Sequence, residues 1–461
     1  MYRSILFAVL LFSPFSYAKA QIPQVERDAL IALYNSTDGS NWTDNTNWLG
    51  AVGTECTWYG IICSGGHIQQ IYLFNNQLSG SIPIELGNFS SLQSLQMQGN
   101  QLRGSIPTAL GKLSSLRWLI LFNNQLSGSI PAELGGLSNL EILVLHSNLL
   151  AGGIPSELGS LSRLQELDLH SNQLSGSIPA ALGKLSSLGL LSLHSNQLTG
   201  NIPAKLGDLS NLVFLYLNSN QMSGELPGDM EKLTGLNCSQ YPCLEIGYNA
   251  FWTDDVGLRA FLNSKDPDWD ETQTIAPEGV TVVSVTDRTV WIEWTPIVYT
   301  ADFGGYEVFG KQATRTADSG GYTLNKLGFT FPVTALQPGQ AYDFTVDTFT
   351  RSHALNQNTV VSEMTEPVTA TTTNTGCAAP NVTVSGDSAP FTLTVTSTHD
   401  TYEWVTGETT SSIMVSPNFP SWYWVRTTGP GSCEEAAVVL VQSVLFGDGF
   451  ESGDLGAWSD F

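Results

Sequence analysis

Leu164-Gln165-Glu166-Leu167-Asp168-Leu169-His170-Ser171-Asn172-Gln173-Leu174-Ser175-Gly176-Ser177-Ile178-Pro179 opens one copy of a 24-residue unit, and this unit decides the fold. It recurs without a gap from His67 to Pro227, with Asn76, Asn100, Asn124, Asn148, Asn172, Asn196 and Asn220 one unit apart. Each Asn follows an L-x-x-L-x-L-type run and precedes an apolar residue, a Gly and an Ile-Pro pair; Leu226 replaces Ile in the last copy. One unit cannot bury its own leucines, so stacked units must share a core along a solenoid. The strand residues then form a parallel sheet with roughly 4.8 Å between units. The Asn side chains are expected to point inward, onto backbone groups that the turn leaves unpaired. The Ile-Pro pair predicts an extended or second-strand segment and excludes a long outer helix.

The pattern resembles the plant-type leucine-rich repeat, L-x-x-L-x-L-x-x-N-x-L-x-G-x-I-P-x-x-L-G. The fold expected is a leucine-rich repeat solenoid, of α/β type with a parallel sheet on its concave face, followed by two all-β sandwich domains. The resemblance implies a role in recognising peptides, glycans or wall-degrading enzymes. The kinase and membrane span of plant receptors have no counterpart in this sequence.

Residues 1–20 read as a signal peptide, with Arg3 at the start, an apolar run from Ile5 to Phe12, and Ala18-Lys19-Ala20 before Gln21. No stretch is long enough for a membrane span. The formal net charge is −24, and 26 of the 42 acidic residues lie from Asp254 onward, against 8 of the 18 basic ones. Such a surface repels phosphate backbones, which argues against nucleic acid as a partner. Six cysteines in an exported chain predict three local disulfides, Cys56 with Cys63, Cys238 with Cys243 and Cys377 with Cys433.

Residues 21–66 read as a cap on the first repeat. Pro23 begins a helix with Val25, Ala29, Leu30 and Leu33 on its apolar face, followed by Trp42, Trp48 and the Cys56–Cys63 segment. That segment resembles the N-terminal cap of plant-type repeat proteins, which implies structural tryptophans. Repeats are expected over 67–251: seven regular units, then a degenerate one ending in Leu244, Ile246, Asn249 and Phe251. A capping helix with Thr253 as N-cap and a linker from Ser264 follow, over 252–277. Asp266, Asp268 and Asp270 alternate there, but Glu271 and Pro277 stand where a calcium loop needs Gly and Glu.

From 278 to 373 the period becomes two. Val290-Trp291-Ile292-Glu293-Trp294 and Leu336-Gln337-Pro338-Gly339-Gln340-Ala341-Tyr342-Asp343-Phe344-Thr345-Val346 resemble a fibronectin type III domain, which implies a tyrosine-corner role for Tyr342. A Thr-rich linker, Thr369 to Thr375, leads to a second sandwich of immunoglobulin-like type over 376–443. The tail, 444–461, resembles one seen at the C-termini of exported Gram-negative bacterial proteins. The location expected is therefore secreted or on the cell surface.

No nucleophile elbow, zinc motif, phosphate loop or kinase signature is present. The reading is a non-enzymatic recognition protein without metal or cofactor. The chemistry-bearing residues fall on the strand face: Tyr72, Phe74, Trp118, Ile120, Phe122, His146, Glu166, Asp168, His170, His194, Phe214 and Tyr216. Exposed aromatics on a rigid face point to an extracellular protein, peptide or polysaccharide. The three histidines read either as a metal or pH-sensitive site or as a product of unit duplication, the second being preferred. The alternative function is an exported carbohydrate-active protein with a weak hydrolase or polysaccharide-binding role, a hydrolase site being built from Glu141, Glu166 and Asp168.

Overall fold

The apolar positions of the repeat all turn inward. In one unit Leu164, Leu167, Leu169, Leu174, Leu182 and Leu185 are wholly buried, and one continuous core runs from Ile22 to Trp269. Each such side chain contributes about 1.5–3 kcal/mol of burial. The structure is a computed structural model, and it describes residues 22–239, 242–299, 302, 304–312, 318–323, 326, 328–353, 356–386, 390–416, 421–429 and 433–441. The leader and the C-terminal tail read from the sequence lie outside the described residues.

Residues between the strand leucines build a nine-stranded sheet. It begins with Ile61–Ser64, antiparallel to His67–Tyr72, and continues in parallel through Ser94–Gln96, Trp118–Ile120, Ile142–Val144, Glu166–Asp168, Leu190–Ser192, Phe214–Tyr216 and Leu244–Glu245. A second, eight-stranded sheet uses the residues after each Asn, such as Gln173–Gly176. This corrects the expected place of the second strand, which precedes the Ile-Pro pair. Gly176, at φ 73°, ends the strand in a conformation that L side chains rarely adopt. Pro179 then stands at the N-cap of a 3-10 turn, Ala180–Lys184.

The outer side thus consists of five-residue 3-10 turns and not the α-helices of an α/β-type repeat. These turns stack closely. A Cβ on Gly183 would lie 2.1 Å from the Lys205 carbonyl oxygen of the next unit. Among the described residues the α-helices are Gln24–Ser36 and Val256–Asn263, both outside the repeats. Neither is long and apolar enough to cross a membrane.

The Asn side chains form an inward ladder. The Asn172 amide donates to the carbonyls of Leu145, Leu169 and His170 at 3.0–3.2 Å, and its oxygen accepts the Leu150 N–H at 3.0 Å. Each rung therefore ties its own unit to the one before. The residue ahead of each rung is left-handed, as at Ser171 with φ 51°.

At the N-terminal end Trp42, Trp48 and Trp58 pack on one another with centroids 4.8–5.0 Å apart, and all three are buried. They are core. Val25 departs from the expected apolar face and is exposed. Its neighbour Glu26 is buried instead, accepting the Ile68 N–H at 2.9 Å and pairing with His67 at 2.8 Å. At the other end Asp255, not Thr253, caps the helix, accepting from Gly257 and Leu258 N–H. The segment from Ser264 is no free linker. Trp269 is buried in the solenoid core. Gln273, 24 residues after Asn249, supplies a last rung: its oxygen accepts the Phe251 N–H at 2.9 Å and its amide donates to Ile246 and Trp269 carbonyls.

Glu278–Val285, Val290–Thr295 and Thr330–Val333 form one sheet of the next module; Asp318–Tyr322, Gly304–Gln312, Ala341–Thr350, Val360–Val361 and Val368–Thr371 form the other. The Tyr342 hydroxyl accepts the Gln337 N–H at 2.9 Å, tying the corner. Two three-stranded sheets follow, around Phe391, Leu393, Trp404 and Val425. The three disulfides join Cys56–Cys63, Cys238–Cys243 and Cys377–Cys433.

The modules are docked on one another. The Asn356 amide donates to the carbonyls of Asn220 and Tyr248, and the Asn358 amide to that of Asn196. The Thr-rich stretch is likewise anchored, because Thr373 and Thr375 bind the buried Asp287 carboxylate. Glu435 of the last sandwich accepts hydrogen bonds from Thr286, Arg288 and Thr289.

Candidate functional site

Parallel pairing places equivalent residues of successive units side by side on the nine-stranded sheet. The rings of Phe122, His146, His170 and His194 consequently stack, with centroids 4.4, 4.1 and 4.3 Å apart and planes within 15°. Tyr216 closes the row edge-on at 6.1 Å, and Phe214, on the same strand, lies 6.0 Å from it. Tyr72 and Phe74 are not brought in; the Gln96–Gln98 unit stands between them and the row. Ile120 lies between Gln96 and Val144 in register. Trp118 sits under the Arg117 guanidinium at 5.5 Å.

The three imidazoles are oriented from below. His170 Nδ1 bonds Asp168 at 2.6 Å, His146 Nδ1 meets the Ser147 hydroxyl at 3.0 Å, and His194 Nδ1 meets the Ser192 hydroxyl at 3.2 Å. Among the described residues no hydrogen-bond partner engages the three Nε2 atoms. Asp168 fixes the His170 proton on Nδ1, which leaves Nε2 as an acceptor while the ring is neutral.

Burial, and then the charge of His170, push His146 below the ordinary histidine range and His194 down to about 4. Burial alone would raise Asp168, but hydrogen bonds and attraction from His170 outweigh it and hold the carboxyl low. Burial raises Glu166, and the charge of Asp168 raises it further.

An unfolded histidine takes up its proton near pH ~6.5. Folded His194 does so only near 4. Between those values the unfolded chain binds more protons, so stability falls as pH drops through the window. The decline should be shallower in His194→Asn, which places there the residue that Asn218 already supplies one unit on. Urea melts between pH 7 and 4.5 check this; parallel profiles for the two proteins would refute it.

Donor atoms of His146, Asp168 and His170 lie within 4.8 Å of one another, so this trio could approach a metal ion. To bind one, His170 would have to release Asp168, and the rings would have to leave their stack, since parallel rings aim their lone pairs along parallel lines. No catalytic triad is built either. Asp168 and Ser192 both meet Nδ1 of His170, at 2.6 and 3.4 Å, whereas a relay needs its nucleophile on Nε2. Of the three carboxylates in the hydrolase reading, Glu141 is gripped by Arg117 through bonds of 2.9 and 2.8 Å.

Beside the row lies a depression of about 590 Å³, lined among others by Ile142, Glu166, Gly189, Leu190, Val213 and Phe214. Its apolar walls were missed in the sequence. The signal was available: at the position after the first strand leucine the units carry Gln69, Gln93, Arg117, Glu141 and Gln165, then Gly189.

Residues 67–89, 91–113, 115–137 and 139–161 each match the Leucine Rich Repeat family, and 162–222 match a second profile of that description. The solenoid is built of leucine-rich repeats. Residues 275–370 match the Fibronectin type III domain. No curated protein matches the chain. Among solved structures, PEPR1-AtPEP1 is 33% identical over 50% of this chain and 32% of that one, with a TM-score of 0.46. The Arabidopsis receptor kinase HAESA, in complex with the peptide hormone IDA and the co-receptor SERK1, is 31% identical over 50% and 38%, with a TM-score of 0.44. A plant ice-binding protein is 22% identical over 53% and 94%, at 0.37. The chain spans about a third of the length of the first two.

Proposed function

We propose that this is a non-enzymatic recognition protein acting outside the cell, and that the nine-stranded face of its repeats receives an extracellular peptide, protein or polysaccharide. The observation that carries the reading is the half-exposed row of stacked rings, Phe122, His146, His170 and His194, closed by Tyr216. Rings held by a hydrogen-bonded sheet offer contact area at small entropic cost, and such anchors carry much of an interface's energy. Three disulfides support an oxidising compartment.

The test is capture of the full chain on peptide and glycan arrays, followed by titration of the best partner. Trp118→Ala, Phe122→Ala and Tyr216→Ala should each weaken it tenfold or more, about 1.4 kcal/mol. The Tyr216 hydroxyl donates to the Pro242 carbonyl at 2.7 Å, so Tyr216→Phe distinguishes ring contact from loop anchoring. If all three alanine variants keep full affinity while Phe329→Ser, at an exposed site on the fibronectin module, loses it, the face assignment is wrong.

A further inference from the structure

We propose that the depression between Glu166 and Gly189 is a subsite for one cationic side chain, lysine or arginine, of a peptide lying across the sheet face. This rests on the reading of that face as a ligand surface and names the chemistry of one contact.

Three observations carry it. First, the depression exists because a side chain is missing. The equivalent positions of neighbouring units bear Arg117, Glu141 and Gln165, whereas Gly189 bears none. Backbone does not require that glycine. A Cβ there would meet only the Gln165 carbonyl oxygen, at an ordinary 3.6 Å, and its φ is not left-handed. The space is therefore a property of the surface and not a by-product of a turn.

Second, Glu166 lines that space half-buried and makes no ion pair with any cation among the described residues. Burial and Asp168 both raise its proton affinity, which is the mark of a carboxylate lacking a positive partner. On its own strand the face carries a second carboxylate, Asp168, while Arg117 is already committed to Glu141. A cationic ligand meets a complementary field there, and an anionic one is repelled.

Third, the apolar part of the lining is Ile142, Leu190, Val213 and Phe214, with Gln165, Ser187 and Asn211 at the remaining positions. The apolar residues suit the methylene stem of a lysine or arginine whose charged end reaches Glu166.

The experiment uses the full chain and three probes: N-acetyl-lysine methylamide, N-acetyl-arginine methylamide and N-acetyl-norleucine methylamide, the last with a comparable stem and no charge. The lysine and arginine probes should bind in the millimolar range and norleucine at least tenfold more weakly. Glu166→Gln should cost at least tenfold for the charged probes and little for norleucine. Gly189→Gln, which restores the side chain borne one unit earlier, should abolish binding while leaving the thermal midpoint unchanged. Norleucine binding as well as lysine, or Gly189→Gln leaving lysine bound, would overturn the proposal. So would glucosamine binding more tightly than lysine with the same sensitivity to both variants. The wider reading fails separately. If the charged probes behave as stated but the face captures no partner, the subsite stands alone. If a partner depends on Trp118 and Phe122 yet ignores Glu166→Gln and Gly189→Gln, only the subsite falls.

Discussion

Asp287→Ala is expected to destabilise the fibronectin type III module by about 3 kcal/mol or more. The Asp287 carboxylate is buried and accepts five donors: the Thr373 hydroxyl at 2.5 Å, the Thr375 N–H and hydroxyl at 2.8 and 3.0 Å, and the Gly376 and Cys377 N–H groups at 2.6 and 2.9 Å. Removing the acceptor strands them together. Burial by itself would raise this carboxyl, but the donors overturn that and hold it well below the usual carboxylate range. A depressed folded pKa contributes fully above the unfolded value of about 3.9 and is lost as pH falls through the folded one. The gap between wild type and Asp287→Ala should therefore be widest at neutral pH and close in acid. Urea melts at pH 7 and pH 2.5 decide it. A loss below about 1 kcal/mol at pH 7 would leave the donors satisfied by water and defeat the account.

The second large effect is expected at the ladder. Asn148→Ala should cost about 3 kcal/mol, because one side chain serves four backbone groups. Its oxygen accepts the Leu126 N–H at 3.0 Å, and its amide donates to the carbonyls of Leu121, Leu145 and His146 at 3.0–3.3 Å. None of these groups has water as a ready substitute, since the residue is 6% exposed. Lys184, exposed on the outer turn, is the control, and Lys184→Ala should stay within about 0.5 kcal/mol. Equal losses in the two variants would mean that the rungs are ornamental.

The ladder was also the most legible part of the sequence. A strict period fixes which residues face inward, and an inward Asn in a turn has few physical roles other than bonding stranded backbone. Gln273 escaped for a physical reason. The insertion bracketed by Cys238 and Cys243 shifts the frame, and a Gln in place of Asn hides the 24-residue step from Asn249. The Asp and Pro content of the stretch points to a linker, although Trp269 inside it is core.

The candidate site was legible in outline only. Register alone predicts that His146, His170 and His194 are neighbours. It does not say that their rings lie flat on one another, nor that Asp168 accepts a hydrogen bond from His170 Nδ1. At Gly189 the column of long side chains breaks off, but an absent side chain becomes a cavity only once its neighbours are placed. The contacts of Asp287 and Glu435 join segments separated by 86 to 149 residues, which no local pattern reports.

The docking of Asn356 and Asn358 has a consequence for growth. They grip the carbonyls of Asn196, Asn220 and Tyr248, so the C-terminal modules are keyed to the last steps of the staircase. Everything upstream repeats on one pitch and touches chiefly its own neighbours. A tandem copy of residues 164–187 inserted after Ser187 would slide the N-terminal cap outward by about 4.8 Å. It would leave both ends seated and add a fourth imidazole to the row. Reach is in that sense a setting of the molecule, adjustable in whole clicks by gene duplication without renegotiating either terminus.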